Sequence, residues 1–157
     1  MRKSEMEPSK DLVKMNIPLP PGEWEHLKTE TVWAEPIAPG VYRIANTPFF
    51  AYGLSAEDKM SAELVEGILT LTRVARRGGH STYRLLLSEG SSYETPNFLK
   101  YWKALENMGC TYESARKTWL AVDVPSNVDI DECNSALERG HEDGVWSLDE
   151  GYRRVAD

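Results

Sequence analysis

Short runs of alternating apolar and polar residues fill the first half of the chain and predict a set of β-strands. The runs cover residues 11–19, 32–35, 41–44, 59–64 and 68–75, and turns such as Pro39-Gly40 and Glu66-Gly67 separate them. Many short strands at this spacing are typical of a small, strongly bent sheet or barrel. Residues 1–10 are polar and contain proline, which predicts a disordered leader.

Two of the predicted strands flank the glycine pair Gly78-Gly79 and favour an antiparallel hairpin. Residues 70–75 and 83–87 are rich in Thr, Val, Tyr and Leu, which are common in strands. A two-residue loop would place Arg73 opposite another arginine, and like charges that face each other across strands are unfavourable. A three-residue loop with a bulge pairs Arg73 with Tyr83 instead, so this register is preferred.

The pattern then changes to two helices with strands around them. A helix is predicted from the N-cap Thr95 to Gly109, because apolar residues repeat at helical spacing between them. A second helix is predicted from about Asp129, with Gly140 or Gly144 as its end. Strands are predicted at residues 110–115, 118–124 and 145–148.

The predicted fold is α+β, in a single compact unit that spans residues 11–157. A β-rich part covers residues 11–90, and a ferredoxin-like part with the order βαββαβ covers residues 83–152. The strand at residues 83–87 is predicted to belong to both parts. Such a fold is a scaffold and specifies no activity.

Composition is that of an ordinary globular protein. The 157 residues are 41% hydrophobic and 27% charged, and no apolar run approaches the roughly 20 residues of a membrane span. The first residues lack the apolar region of a secretion signal, so a cytoplasmic location is predicted. Cys110 and Cys133 are far apart in sequence, with no Cys or His beside them. Both thiols are therefore expected to be reduced and partly buried, with no metal or cofactor site.

The net charge of −7 is concentrated in the last third of the chain. Residues 91–157 contain 7 Lys and Arg against 13 Asp and Glu. The candidate partner-binding residues in this region are Asp129, Asp131, Glu132, Glu138, Glu142 and Asp143. A negative surface would repel nucleic acid and attract basic proteins. Alternatively, these carboxylates form a solvated helix face that only keeps the protein soluble.

The segment around Gly78-Gly79 contains the candidate ligand-binding side chains, namely Arg76, His80, Ser81, Thr82 and Arg84, together with Asp123 from a distant strand. Asp123 could orient His80, while Arg76 and Arg84 could hold a phosphate or carboxylate. His80 and Ser81 form a poor catalytic dyad, because neighbouring strand residues point to opposite faces. The alternative is that these side chains only bond to the backbone of a turn.

Seven segments in sequence order resemble a bacterial family called domain of unknown function 4265. They are VWAEP (32–36), YRIANTPFF (42–50), GLS (53–55), GHSTYR (79–84), GCTYE (109–113), LAVDVP (120–125) and GVWSLDEG (144–151). The resemblance spans about residues 12–152. The family pattern has an acidic residue shortly after a glycine, and residues 55–58 are a looser fit to it. The resemblance implies a compact, soluble bacterial protein and brings no activity with it.

Together these observations favour a non-enzymatic binding protein. The chain has no phosphate loop, no dinucleotide fingerprint and no metal-ligand pair of histidines. Its acidic last third predicts an immunity or inhibitor protein that neutralises a basic toxin or nuclease, without a nucleic-acid or membrane partner. The alternative is a small hydrolase or anionic-ligand-binding protein that uses Arg76, His80 and Arg84. The oligomeric state stays open.

Overall fold

The computed structural model describes residues 11–155, which form nine strands and two helices. The predicted leader, residues 1–10, lies outside these residues. The elements are β1 (Val13–Pro18), β2 (Thr29–Ala38), β3 (Val41–Ile44), β4 (Lys59–Val65), β5 (Ile68–Arg76), β6 (Ser81–Leu87), α1 (Pro96–Met108), β7 (Thr111–Arg116), β8 (Trp119–Val124), α2 (Ile130–Glu142) and β9 (Trp146–Tyr152). The fold is α+β, as predicted.

The first five strands form a closed barrel. Each strand pairs antiparallel with the next, and because the number of strands is odd, the closing pair of β1 and β5 is parallel. Alternate side chains point inward and fill the barrel with apolar residues. The buried members of this core include Met15, Ile17, Val32, Ala34, Ile44 and Met60.

The other four strands form an antiparallel sheet in the order β7-β8-β6-β9. From β6 to β9 the elements follow the predicted order βαββαβ. Both helices contribute to a core on one face of this sheet, which includes Phe98 and Trp102 of α1 and Cys133 and Leu137 of α2. No helix within residues 11–155 is long and apolar enough to cross a membrane.

The predicted hairpin around Gly78-Gly79 is wrong. β5 pairs with β4 and β1 in the barrel, whereas β6 pairs with β8 and β9 in the second sheet, so the two halves do not share the strand at residues 83–87. Residues 77–80 therefore connect two sheets. A Cβ at Gly78 would lie 2.8 Å or less from three atoms of Glu57, so the close approach of two backbone segments requires glycine there.

Of the two glycines predicted to end the second helix, Gly144 lies just beyond its end and Gly140 lies within it. α2 continues through Gly140 to Glu142, and Gly144 follows it with a positive φ of 75°. Gly140 instead makes room for a core side chain, because a Cβ there would lie 2.9 Å or less from three atoms of the Trp146 ring.

The two halves meet at a polar joint, which we define as Thr82, Arg84 and Glu113 with the loop at residues 47–55. Thr82 and Arg84 are completely buried, and they lie on the face of β6 opposite the helices. Glu113 accepts a hydrogen bond from the Thr47 amide at 2.6 Å, and the Gly53 amide donates to the Gly151 carbonyl at 2.8 Å. Hydrogen bonds therefore attach the barrel loop to the sheet.

Candidate functional site

The connection between the barrel and the sheet is held by Asp58, whose carboxylate is fully buried. Asp58 accepts hydrogen bonds from the amides of Ser55 at 3.0 Å and Gly78 at 2.9 Å, and from Arg77 Nη1 at 3.1 Å. The Arg77 guanidinium also stacks on the ring of Tyr152, 4.1 Å from its centroid. These contacts fix the backbone that leads to His80.

His80 and Asp123 lie together, as the sequence suggests. His80 Nδ1 lies 2.8 Å from Asp123 Oδ1, and the His80 side chain is 17% exposed. The pKa of His80 is raised, because the hydrogen bond that its imidazole donates to Asp123 outweighs the opposing effect of burial, and the charges of Asp123, Glu57 and Asp58 add to the rise. The imidazole is thus held near several carboxylates and favours its charged form.

Arg84 is completely buried, which contradicts its predicted role in holding a phosphate or carboxylate ligand. Its Nε donates to Asp149 at 3.0 Å, Nη1 to the Ala51 carbonyl at 2.9 Å and Nη2 to the Phe50 carbonyl at 3.2 Å. Because the protein itself takes up all three nitrogens, this arginine fixes the loop of the polar joint.

The remaining ligand candidates divide between surface and interior. Arg76 lies exposed at the end of β5, and His80 is partly exposed. Ser81 is fully buried, and its Oγ accepts a hydrogen bond from the Arg154 amide at 3.0 Å. Thr82 Oγ1 lies 2.6 Å from Ser55 Oγ and donates to the Leu54 carbonyl. A ligand at this turn would meet His80 and Arg76, and it would not meet Ser81, Thr82 or Arg84.

The predicted partner-binding carboxylates are all exposed, and they lie on α2 or at its two caps. Asp129 caps the helix by accepting from the amides of residues 131 and 132, Asp131 pairs with Arg153, and Asp143 accepts from the Tyr101 hydroxyl at 2.7 Å. The other three make no ion pair with any residue between 11 and 155; they are Glu132, Glu138 and Glu142. Across the same residues, no group of three or more His, Cys, Asp or Glu is arranged to hold a metal ion.

Comparison with known families places both halves of the chain in one family. The family described as domain of unknown function (DUF4265) matches residues 30–148. The chain belongs to this family. The resemblance inferred from the seven sequence segments is confirmed, and the match includes Asp58, His80 and Asp123. Asp58 lies in the segment at residues 55–58, which fits the family pattern loosely in sequence.

A solved structure shows the same fold as this DUF4265 protein. The structure, described as a novel crystal structure of a hypothetical protein from Neisseria gonorrhoeae, matches with a TM-score of 0.76 and 17% identity. The match covers 91% of this chain and 96% of that chain. At this identity the likeness shows the fold alone. A search of curated proteins found no match.

We predict that His80 makes the stability of this DUF4265 protein depend on pH. Its folded-state pKa is raised above 6.5, so its contribution to stability is complete below pH 6.5 and is lost as the pH rises through the raised pKa. The wild type should have a higher free energy of unfolding than the His80→Asn variant, and the difference should be larger at about pH 6 than at about pH 9. Urea denaturation at both pH values measures this difference.

The Asp123→Asn variant is the matched control, because it removes the main cause of the raised pKa. NMR titration of the imidazole should give a lower His80 pKa in this variant than in the wild type. If the free energy of unfolding depends on pH in the same way in the wild type and in His80→Asn, the His80–Asp123 pair has no influence on folding.

Proposed function

We propose that this protein is a non-enzymatic binding protein of the bacterial cytoplasm, an immunity or inhibitor protein that neutralises a basic toxin or nuclease. The observation on which the proposal rests is a carboxylate stripe on α2, defined as Asp131, Glu132, Glu138 and Glu142, all exposed. A basic protein gains affinity and association rate from such a surface, because the charges are complementary. Nucleic acid would be repelled.

The geometry of α2 separates the carboxylate stripe from the core. Asp131, Glu138 and Glu142 follow one another after seven and four residues, so they lie along one side of the helix. Ile130 and Leu137 lie on the other side and are buried in the core. The helix has 13 residues and is about 20 Å long, which is enough to cover a substrate cleft on a small enzyme.

Two members of the stripe, near the C-terminal end of the helix, lower its stability. Glu138 and Glu142 are like charges four residues apart, an arrangement that destabilises a helix by about 0.2–0.5 kcal/mol. Arg139 and His141 are the basic residues of the last turn, and neither forms an ion pair with these glutamates among residues 11–155. Basic side chains of a partner would relieve this repulsion, which supports a binding role for the stripe.

Charge reversal of the unpaired carboxylates tests the proposal. We expect the wild-type chain to capture a basic partner from host lysate in a pull-down. The triple variant Glu132→Lys, Glu138→Lys and Glu142→Lys should fail to capture it. The melting temperature should change little, because none of the three side chains contributes to the core. The captured protein is then identified and purified, and its toxic or nuclease activity is measured with and without the wild-type chain.

A second triple variant with the same change in charge provides the control. Glu23, Glu25 and Glu63 are exposed and lie in the barrel half, away from α2. Their replacement by lysine should preserve capture, and capture by the wild type should weaken steeply as the salt concentration rises. Equal loss in both triple variants, or full capture by the α2 variant, argues against the carboxylate stripe as the binding surface.

The His80–Asp123 pair supports a second candidate function. A partly exposed imidazole oriented by a carboxylate is suited to proton transfer or to binding an anion, with Arg76 as the nearby exposed cation. This alternative is a small hydrolase or an anionic-ligand-binding protein. It is favoured if His80→Ala abolishes turnover or phosphate binding while the charge-reversal triple variant of α2 retains it.

A further inference from the structure

The two cysteines of the chain, 23 residues apart in sequence, lie in contact inside the core. Their Sγ atoms are 3.6 Å apart, and the residues are 1% and 0% exposed. Both are free thiols in the structure, and they are more deeply buried than the sequence suggests. The sequence separation gave no indication of the contact, which exists because Cys110 follows the end of α1 and Cys133 lies in the first turn of α2.

The two thiols have different environments, which suits them for different steps. A hydrogen bond from Cys110 lowers the pKa of Cys133, and the nearby Arg154 lowers it further. The same hydrogen bond raises the pKa of Cys110. Arg154 is held in place because its guanidinium donates to the carbonyls of Pro125 at 3.2 Å and Val128 at 2.6 Å. Cys133 is therefore the better nucleophile, and Cys110 retains its proton.

A surface depression gives small molecules a route towards the pair. The depression has a volume of about 470 Å³ and is lined by Glu106, Gly109, Cys110 and Thr111. Its lining includes Cys110, at the junction of α1 and β7, whose Sγ contacts that of Cys133. A neutral oxidant as small as hydrogen peroxide could reach the sulfur atoms from this side with only a local opening of the turn.

We propose that Cys110 and Cys133 form a redox modification site, at which hydrogen peroxide converts the two thiols into an intramolecular disulfide. The Cys133 thiolate attacks one peroxide oxygen, an S–O bond forms as the O–O bond breaks, and the released hydroxide takes up a proton to give water. The Cys110 sulfur then attacks the Cys133 sulfenic acid, the S–S bond forms and the S–O bond breaks. The departing hydroxide takes up the Cys110 proton and becomes a second water molecule. In total, two thiols are oxidised to one disulfide and one peroxide is reduced to two waters.

The required movement is small. A disulfide has an S–S distance of about 2.05 Å, so the sulfur atoms must approach by about 1.5 Å from their separation of 3.6 Å. The bond would join the end of α1 to the start of α2 and close a loop that contains β7 and β8. Closing a loop of this length should raise the melting temperature by roughly 5–10 °C.

The test exposes the folded, reduced full chain to hydrogen peroxide, followed by denaturation and counting of free thiols with a colorimetric reagent. The expected result is a fall from two thiols to none, a mass lower by two hydrogen atoms, and a reducible peptide that links the two cysteines. The melting temperature should rise and should return to its starting value after reduction. Two titratable thiols after treatment, or disulfide formation only in denaturant, would overturn the proposal.

Single-cysteine variants distinguish the pair from two independently reactive thiols. Cys110→Ala should leave Cys133 as a sulfenic acid that dimedone traps, because no neighbouring thiol condenses with it. Cys133→Ala should leave Cys110 less reactive than Cys133 is in Cys110→Ala, because burial and the charge of Asp123 still raise the pKa of Cys110, whereas Arg154 lowers that of Cys133. If dimedone labels Cys110 in Cys133→Ala as fast as it labels Cys133 in Cys110→Ala, the assigned order of attack is contradicted. An intermolecular disulfide as the main wild-type product would contradict the intramolecular site.

Discussion

Replacement of Arg84 by methionine is expected to lower the free energy of unfolding by about 2–4 kcal/mol, because the guanidinium is fully buried while the carboxylate it leaves, Asp149, is 32% exposed. Methionine keeps much of the arginine's volume, so the loss reports mainly on the charge and its hydrogen bonds. The substitution leaves the Asp149 carboxylate without its guanidinium partner at 3.0 Å. It also removes the donor that Arg84 gives to the Ala51 carbonyl, while the Phe50 carbonyl keeps its hydrogen bond from Trp24 Nε1 at 2.7 Å. Urea denaturation followed by circular dichroism measures the difference.

Arg43→Met is the matched control, since the same replacement is made at an exposed ion pair. Arg43 lies 3.5 Å from Glu35, and its side chain is 35% exposed, so its loss should cost less than about 1 kcal/mol. Comparable losses at Arg84 and Arg43 would contradict the structural role of the polar joint.

A second variant tests the same contact if Arg84→Met fails to fold. A Cβ at Gly151 would lie 2.7 Å from Arg84 Nη1 and 3.1 Å from the Thr82 carbonyl oxygen. Gly151→Ala should therefore displace the guanidinium and lower the free energy of unfolding by about 1–3 kcal/mol. If Gly151→Ala has the same free energy of unfolding as the wild type, the exact position of the Arg84 guanidinium does not matter for stability.

The strands could be predicted from the sequence because each makes its own local pattern. β4 and β5 lie where alternation of apolar and polar residues predicts them, around Glu66-Gly67, and β2 and β3 flank Pro39-Gly40. The first helix begins after its predicted N-cap, Thr95, and the second begins at about Asp129, as predicted, with Asp129 as its N-cap. Local propensity, turn residues and periodicity all act over a few residues, so a single sequence contains this information.

Strand pairing could not be predicted in the same way. β5 and β6 are consecutive strands separated by a glycine pair, which is the usual pattern of a hairpin, but each finds its partners elsewhere. A long-range contact holds the chain where it leaves the barrel, because the buried Asp58 carboxylate accepts a hydrogen bond from the Gly78 amide. Hydrogen bonds between distant residues leave no periodic signal, so the sequence alone predicts a hairpin turn at these two glycines.

The candidate site was predicted only in part, because the exposure of a polar strand face depends on what packs against it. Thr82 and Arg84 alternate with the apolar residues Tyr83 and Leu85, a pattern that ordinarily means solvent on the polar side. Here the barrel loop covers that side and buries both residues completely. His80 and Asp123 do lie together, as the complementary chemistry of an imidazole and a carboxylate suggests, with His80 just before β6 and Asp123 in β8.

Replacement of Gly140 by alanine is expected to destabilise the protein, although alanine is the better helix former by about 1 kcal/mol. Gly140 is buried inside α2, and the added Cβ would lie 2.9 Å or less from three atoms of the Trp146 ring. The indole cannot simply move away, because it is 2% exposed and its Nε1 donates to the Leu137 carbonyl at 2.8 Å. Overpacking of this kind costs about 1–3 kcal/mol or somewhat more, which exceeds the gain in helix propensity.

A double-mutant cycle with Trp146→Phe separates the steric clash from the effect on the helix. The smaller ring lacks the second ring of the indole, which supplies the clashing atoms, so Gly140→Ala in this background should be neutral or stabilising by up to about 1 kcal/mol. Ser135→Ala, on the exposed side of α2, reports on helix propensity alone and should be slightly stabilising in both backgrounds. Circular dichroism during urea denaturation follows all the variants, because tryptophan fluorescence would change with the ring itself. An equal cost of Gly140→Ala with tryptophan or phenylalanine at position 146 would mean that the glycine is required for a reason other than this contact.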